Sequence, residues 1–150
     1  MIKVENNSKK FREQIRILER RLGLLSKNST GSFACCTVTL SQCHALVEIG
    51  RAQKISLKDL AIILSLDTST TSRTVDALVK KNYVARQEST LDRRSIDIAL
   101  TSTGQKLFQT IECKMNSDFA EIFSRIPPNE RENVLHAMDC IIDAFTHPLL

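Results

Sequence analysis

The chain has 150 residues, enough for one domain, and its 42% apolar and 25% charged content is that of an ordinary soluble globular protein. No stretch approaches the roughly 18 consecutive apolar residues of a membrane span, and the opening MIKVENNSKK lacks the apolar core of a secretory signal, which points to the cytoplasm. The net charge of +4 is uneven: residues 1–100 hold 17 Lys and Arg against 10 Asp and Glu, residues 101–150 hold 4 against 7, a gradient that suits a polyanion on one face only.

Phe11, Ile15, Leu18, Leu22 and Leu25 are spaced to draw one apolar stripe down a long first helix. Arg12, Arg16 and Arg20 run along another face, as a solvated flank or a phosphate contact. The polar run around Gly31 marks a loop. In VTLSQC, Thr39 and Gln42 have the spacing of a capping box, and Val38 and Cys43 that of a hydrophobic staple, so a helix starts there with Ala45, Leu46 and Ile49 inward. Ser56 caps the next helix with Asp59 three residues on, and Leu57, Leu60, Ala61 and Leu64 form its apolar side. After the tight turn SLD, a third helix begins at Asp67, is anchored by Val75, Leu78 and Val79, and ends at Asn82, a residue that tolerates the left-handed conformation.

YVARQE and SIDIALT then alternate as two strands around the polar tip STLDRR. Two short helices joined by a tight turn and followed by a two-stranded ribbon with a basic tip have the layout of a winged helix-turn-helix. Thr101 caps a long helix bearing Phe108, Ile111, Met115, Phe119, Ile122 and Ile126, which Pro127-Pro128 breaks. A last helix carries Val134, Met138, Ile141 and Phe145. The fold class is therefore mainly α with a small β-wing.

The candidate binding chemistry lies at two places. Thr68, Ser69, Thr70, Thr71, Ser72 and Arg73 crowd the N-terminal end of the second helix of the pair, more hydroxyls than capping needs. Residues there reach base edges and phosphates, and the helix dipole favours phosphate at the same end. At the wing tip, Asp92 and Arg94 flank Arg93 and share a side of the hairpin, so Asp92 can hold the Arg94 guanidinium ready for a narrow minor groove. The absence of tryptophan and the single tyrosine, Tyr83, argue against base stacking of the RNA-binding kind.

The order VTLSQCHALVEIG, SLKDLAIILSLDTSTTSRTVDALVKKNYVAR, DRRSIDIALTSTG resembles the multiple antibiotic resistance regulator (MarR) family, over about Phe11 to Phe145. The family's Asp-x-Arg followed by Leu-Thr-x-x-Gly matches Asp92, Arg94, Leu100, Thr101 and Gly104. Its D-x-S-T-x-S-R segment matches Asp67, Ser69, Thr70, Ser72 and Arg73. Asn82 stands where the family usually has Gly. The resemblance implies a homodimeric transcription regulator, a repressor by expectation, whose first and last helices intertwine and whose winged helices bind a palindromic DNA operator. On that reading residues 1–150 form a single MarR-like domain, with dimerisation helices at 1–30 and 102–150 and the winged helix at 38–101. The apolar stripes of the terminal helices are also too long for one small winged helix alone. The runner-up is a winged helix that binds protein rather than DNA.

An enzyme is not expected: glycine-rich phosphate loops, G-x-S-x-G and H-E-x-x-H are absent, and His44, His136 and His147 are scattered. The five cysteines include no CxxC pair, and a cytoplasmic chain keeps them reduced. Cys35, Cys36 and Cys43 cluster before and within the first turn of a capped helix, where the dipole favours thiolate. They serve as ligands for a thiophilic metalloid, as an oxidant sensor, or as small apolar fillers; Cys113 and Cys140 read as core. The effector could equally be an organic acid or phenol, as is common in the family, and no cofactor is required.

Overall fold

A computed structural model describes residues 2–26 and 38–146. The elements run α1 (Ile2–Arg21), a short 3-10 turn at Leu24–Ser26, α2 (Leu40–Ala52), β1 (Lys54–Ser56), α3 (Leu57–Leu64), α4 (Thr68–Lys80), β2 (Val84–Glu88), β3 (Ile96–Leu100), α5 (Ser102–Ser124), a second 3-10 turn at Pro128–Glu130 and α6 (Arg131–Ala144). They divide into two compact units, residues 23–112 and residues 1–22 with 113–150, so α5 contributes its first half to one and its second half to the other.

The unit of residues 23–112 is a winged helix-turn-helix. Its helices begin where the caps foretell. Gln42 donates its backbone N–H to the Thr39 hydroxyl and returns its side-chain oxygen to the Thr39 N–H, both at 3.3 Å, completing the capping box. Ser56 accepts the Asp59 N–H at 3.0 Å, and Asp67 accepts the Thr70 N–H at 2.7 Å. The turn from α3 to α4 is closed by Ser65 in the left-handed region (φ 54°), with Ser65 N–H bound to Ile62 O and Leu66 N–H bound to Ala61 O. Leu46, Ile49, Leu60, Leu64, Val75, Leu78 and Ile98 meet in a core closed to solvent.

The sheet has three antiparallel strands in the order β1-β3-β2, where two were expected. The extra strand, Lys54–Ser56, pairs with Asp97–Ala99. It is three residues long with one apolar side chain, Ile55, too short for alternation to reveal.

The end of α4 and the start of α5 are tied together. Asn82 takes φ 60°, and Asn82 N–H binds Val79 O while Tyr83 N–H binds Leu78 O, the doubled closure of a left-handed helix end. The Thr101 hydroxyl donates to Asn82 O at 2.6 Å and accepts the Gly104 N–H at 3.0 Å. A Cβ at residue 104 would overlap the Tyr83 carbonyl, so glycine is required by close approach of backbone. That gives the Leu-Thr-x-x-Gly pattern a physical reason.

In the helical unit, Phe11 packs edge-on to Phe119 and tilted against Phe123, at centroid distances of 6.1 and 5.5 Å. Phe123, one residue off the expected stripe position Ile122, is the deepest of these side chains. The arginine flank of α1 is not solvated: Arg12 and Arg16 are buried. Arg12 donates to Asn116 Oδ1 at 2.7 Å, and Arg16 and Arg20 each lie 3.7 Å from Glu13. Buried charge requires such partners. Gln14 donates to Leu135 O at 2.8 Å and Asp139 Oδ1 at 2.7 Å, which binds α1 to α6.

Among the described residues little of the apolar stripe on and just after α6 is buried. Leu135 is buried, Val134 and Met138 are half-buried, and Ile141 and Phe145 remain 46% and 42% exposed. Cys113 and Cys140, expected in the core, are exposed instead. Cys113 sits between the buried Ile111 and Met115 in sequence, which at 100° per residue places it on the opposite side of α5.

Candidate nucleic-acid interface

The six residues at the head of α4 do not act alike. Thr68, Ser69 and Arg73 are exposed and present a hydroxyl-rich, cationic surface at the positive end of the helix dipole. Thr70 is half-buried and folded back, its hydroxyl donating to Asp67 Oδ2 at 2.6 Å. That bond, the Thr70 N–H and the nearby charge of Arg73 hold the Asp67 carboxyl below its ordinary range, so the cap stays ionised. Thr71 departs from the expectation of a contact residue: it is fully buried, and its hydroxyl donates to Asp67 O at 2.9 Å. It faces inward beside Val75 because the inward face of α4 begins there. Ser72 is half-buried and turned toward the wing.

The wing tip also differs from expectation in one bond. Asp92 Oδ1 accepts the backbone N–H of Arg94 at 2.9 Å rather than its guanidinium, closing a local turn. The Ser89 hydroxyl, buried beneath the loop, accepts the N–H groups of Leu91 and Asp92 at 3.2 and 3.4 Å. Asp92 thus shapes the loop, and Arg93 and Arg94 project from it into solvent. Both arginines belong to the same compact unit as Thr68, Ser69 and Arg73.

Sequence reasoning passed over Arg86. It lies in YVARQE, read only as a strand, yet it reaches α4: its Nη2 is 2.8 Å from Asp76 Oδ1 and donates to Ser72 O and Ser72 Oγ at 3.3 and 3.1 Å. The strand alternation shows only an arginine where an apolar side chain is expected; the contact itself joins two different elements and has no local signal.

Of the cysteine cluster, Cys35 and Cys36 lie outside the described residues. Cys43 is half-buried and not in a disulfide, and His44 beside it is buried. Among the described residues no group of three or more His, Cys, Asp or Glu side chains has the geometry to hold a metal ion. A cavity of about 400 Å³ opens between the start of α2 and α4, lined by Leu25, Thr39, Ser41, Gln42, Thr70 and Arg73 among others. No described helix is long and apolar enough to cross a membrane.

Comparison with known proteins gives a consistent picture. The sequence model of the MarR family matches residues 38–96. The chain is 26% identical over 105 residues to the HTH-type transcriptional regulator SarZ of Staphylococcus haemolyticus, covering 70% of each chain. It is 26% identical over 99 residues to the HTH-type transcriptional repressor MdtR of Bacillus subtilis, covering 66% of this chain and 64% of MdtR. The fold is shared with Streptococcus pneumoniae FabT, solved in complex with DNA: TM-score 0.69, 17% identity, 73% of this chain and 77% of FabT.

Proposed function

Because the chain belongs to the MarR family, we propose that it is a homodimeric, sequence-specific DNA-binding transcription regulator, acting as a repressor on a palindromic operator. The observation that carries the proposal is the pairing, within one compact unit, of the exposed head of α4 with the exposed arginines of the wing. Thr68, Ser69 and Arg73 enter the major groove, and Arg93 and Arg94 follow the backbone into the adjacent minor groove. The reading assigns no catalytic step, and its relatives SarZ and MdtR are named as transcriptional regulators. A DNA partner supports a place in the cytoplasm.

Dimerisation falls to the helical unit. Ile141 on α6 and Phe145, the residue that caps its C-terminal end, lie one turn apart and are nearly half exposed, as is Val4 on α1, which supports burial against a second copy. For the effector, the cavity beside α4 supports a small organic ligand: an acid there meets the Arg73 guanidinium, the same group that binds DNA, and competes with it. Thiol sensing at Cys35, Cys36 and Cys43 is the second proposal.

The test is a shift assay over a range of salt concentrations with duplexes selected by the wild-type chain. Affinity should fall steeply as salt rises, and Arg94→Ala should weaken binding about tenfold and lower the salt slope. Salt-independent binding, or full affinity in Arg94→Ala, would contradict the assignment.

A further inference from the structure

Arg86 occupies an odd place for a cation. In the register of the sheet it lies opposite Ile98, and cross-strand partners project to the same face. Ile98 is fully buried, and Val84, two residues before Arg86 on that face, is buried too. The strand alternation therefore asks for an apolar side chain at residue 86. An arginine there sends its stem along the inner face and its guanidinium out to the flank of α4.

On α4 it finds Ser72 and Asp76, one helical turn apart. The guanidinium meets the Asp76 carboxylate at 2.8 Å and the Ser72 carbonyl and hydroxyl at 3.3 and 3.1 Å. Among the described residues these are the hydrogen bonds and ion pairs that join the wing strands to α4. The covalent connection to α4 is the short turn of residues 81–83, and β1 backs β3 at Asp97–Ala99, so the part of the wing left to move is the outer ribbon and its tip. The pair is partly solvated, with side chains 31% and 53% exposed, so it adds little to global stability. Its consequence is geometric: it fixes how far the wing tip stands from the head of α4.

We infer that Arg86, Asp76 and Ser72 form a positioning latch that sets the wing against the recognition helix, so that they govern DNA affinity without touching DNA. The inference rests on the DNA-binding reading above. It also gives Ser72 a role different from that of its neighbours: its hydroxyl is engaged by Arg86 rather than offered to a base.

The sign of one substitution separates the latch from its rival. If Arg86 merely contacted phosphate, Asp76→Asn would remove a negative charge near DNA and leave binding equal or tighter. With a latch, Asp76→Asn weakens binding. Duplexes are first selected by the wild-type chain from a random-sequence library, and affinities of Asp76→Asn, Arg86→Ala and the double variant are then measured against salt. About a tenfold loss is expected for each single variant, with the double variant no weaker than Arg86→Ala alone. The salt slope of Arg86→Ala should match wild type, whereas loss of a phosphate contact lowers it by about one. Thermal melts of the single variants should stay near wild type. Asp76→Asn binding as tightly as wild type or better, additive losses, or a slope lowered in Arg86→Ala would each overturn the latch. Failure of the wild-type chain to enrich any duplex would instead overturn the DNA-binding reading, and the latch with it.

Discussion

The two compact units differ in how they pair their buried polar groups. In the winged unit the buried polar residues are His44, Thr71, Thr74 and Ser89. Its buried hydroxyls bond close by in sequence, Thr71 to Asp67 O and Thr74 to Thr70 O. In the helical unit the buried polar residues include Arg12, Gln14 and Arg16. There Arg12 and Gln14 find distant partners, Asn116 for the first and Leu135 and Asp139 for the second, while Ser8 and Arg16 pair within a turn, with Glu5 O and Glu13. The exposed surfaces differ as well. The winged unit offers hydroxyls and arginines at the head of α4 and the wing, while α6 offers Ile141 and Phe145. Exposed hydroxyls and arginines suit a polyanion, although the winged unit also leaves Ile62, Ile63, Val79, Leu91 and Ile96 exposed; a unit that buries arginines and exposes Ile141 and Phe145 suits another protein surface.

The largest expected effect tests whether the helical unit depends on its aromatic core. Phe123 is almost fully enclosed and stacks with Phe11, so Phe123→Ala should lower unfolding stability by about 3–5 kcal/mol in denaturant titration. A loss under about 1 kcal/mol would mean that the unit is held chiefly by its polar bonds. Next is the wing junction. Gly104→Ala drives a methyl group into the Tyr83 carbonyl and should cost about 1–3 kcal/mol, with a larger proportional loss of duplex affinity than of stability. An unchanged affinity would mean that α5 can shift without moving the wing.

The exposed stripe comes third. The double variant Ile141→Ser/Phe145→Ser should weaken self-association about tenfold by sedimentation, while chain stability and winged-unit circular dichroism hold. Unchanged association would put the interface elsewhere. The smallest effect is acid sensitivity. The hydrogen bond from Lys10, then that from Gln14, holds the Asp139 carboxyl below its ordinary range. A carboxyl lowered in the folded state adds stability above its unfolded pKa and loses it as pH falls through the folded value. Asp139→Asn should therefore flatten the acid limb of stability against pH below about pH 4. An acid limb identical to wild type would show that the Lys10 and Gln14 bonds persist without the charge.

The same contrast explains what could be read in advance. The caps at Thr39, Ser56 and Asp67 and the left-handed Asn82 were legible because each bonds within a turn of itself. So were the helix-turn-helix and the hairpin, whose signals are local periodicity and turn chemistry. Burial of Arg12 and Arg16 was not legible, since a polar row on a helix looks solvated until a second element covers it. β1 was too short to show a period, and Arg86 broke the alternation of its strand in favour of a contact to α4. In the candidate site, the exposed ends Thr68, Ser69, Arg73, Arg93 and Arg94 could be picked from pattern. The inward turn of Thr71 and the bond from Asp92 to a backbone N–H instead of a guanidinium needed three dimensions.

The most direct test of this division of labour is the stoichiometry of the chain on a selected palindromic duplex, measured by sedimentation with labelled DNA. Two chains per duplex, with half-sites about one helical turn apart, is the expected result, and removing one half-site should abolish tight binding. One chain per duplex with undiminished affinity, or no salt-sensitive binding at all, would contradict it.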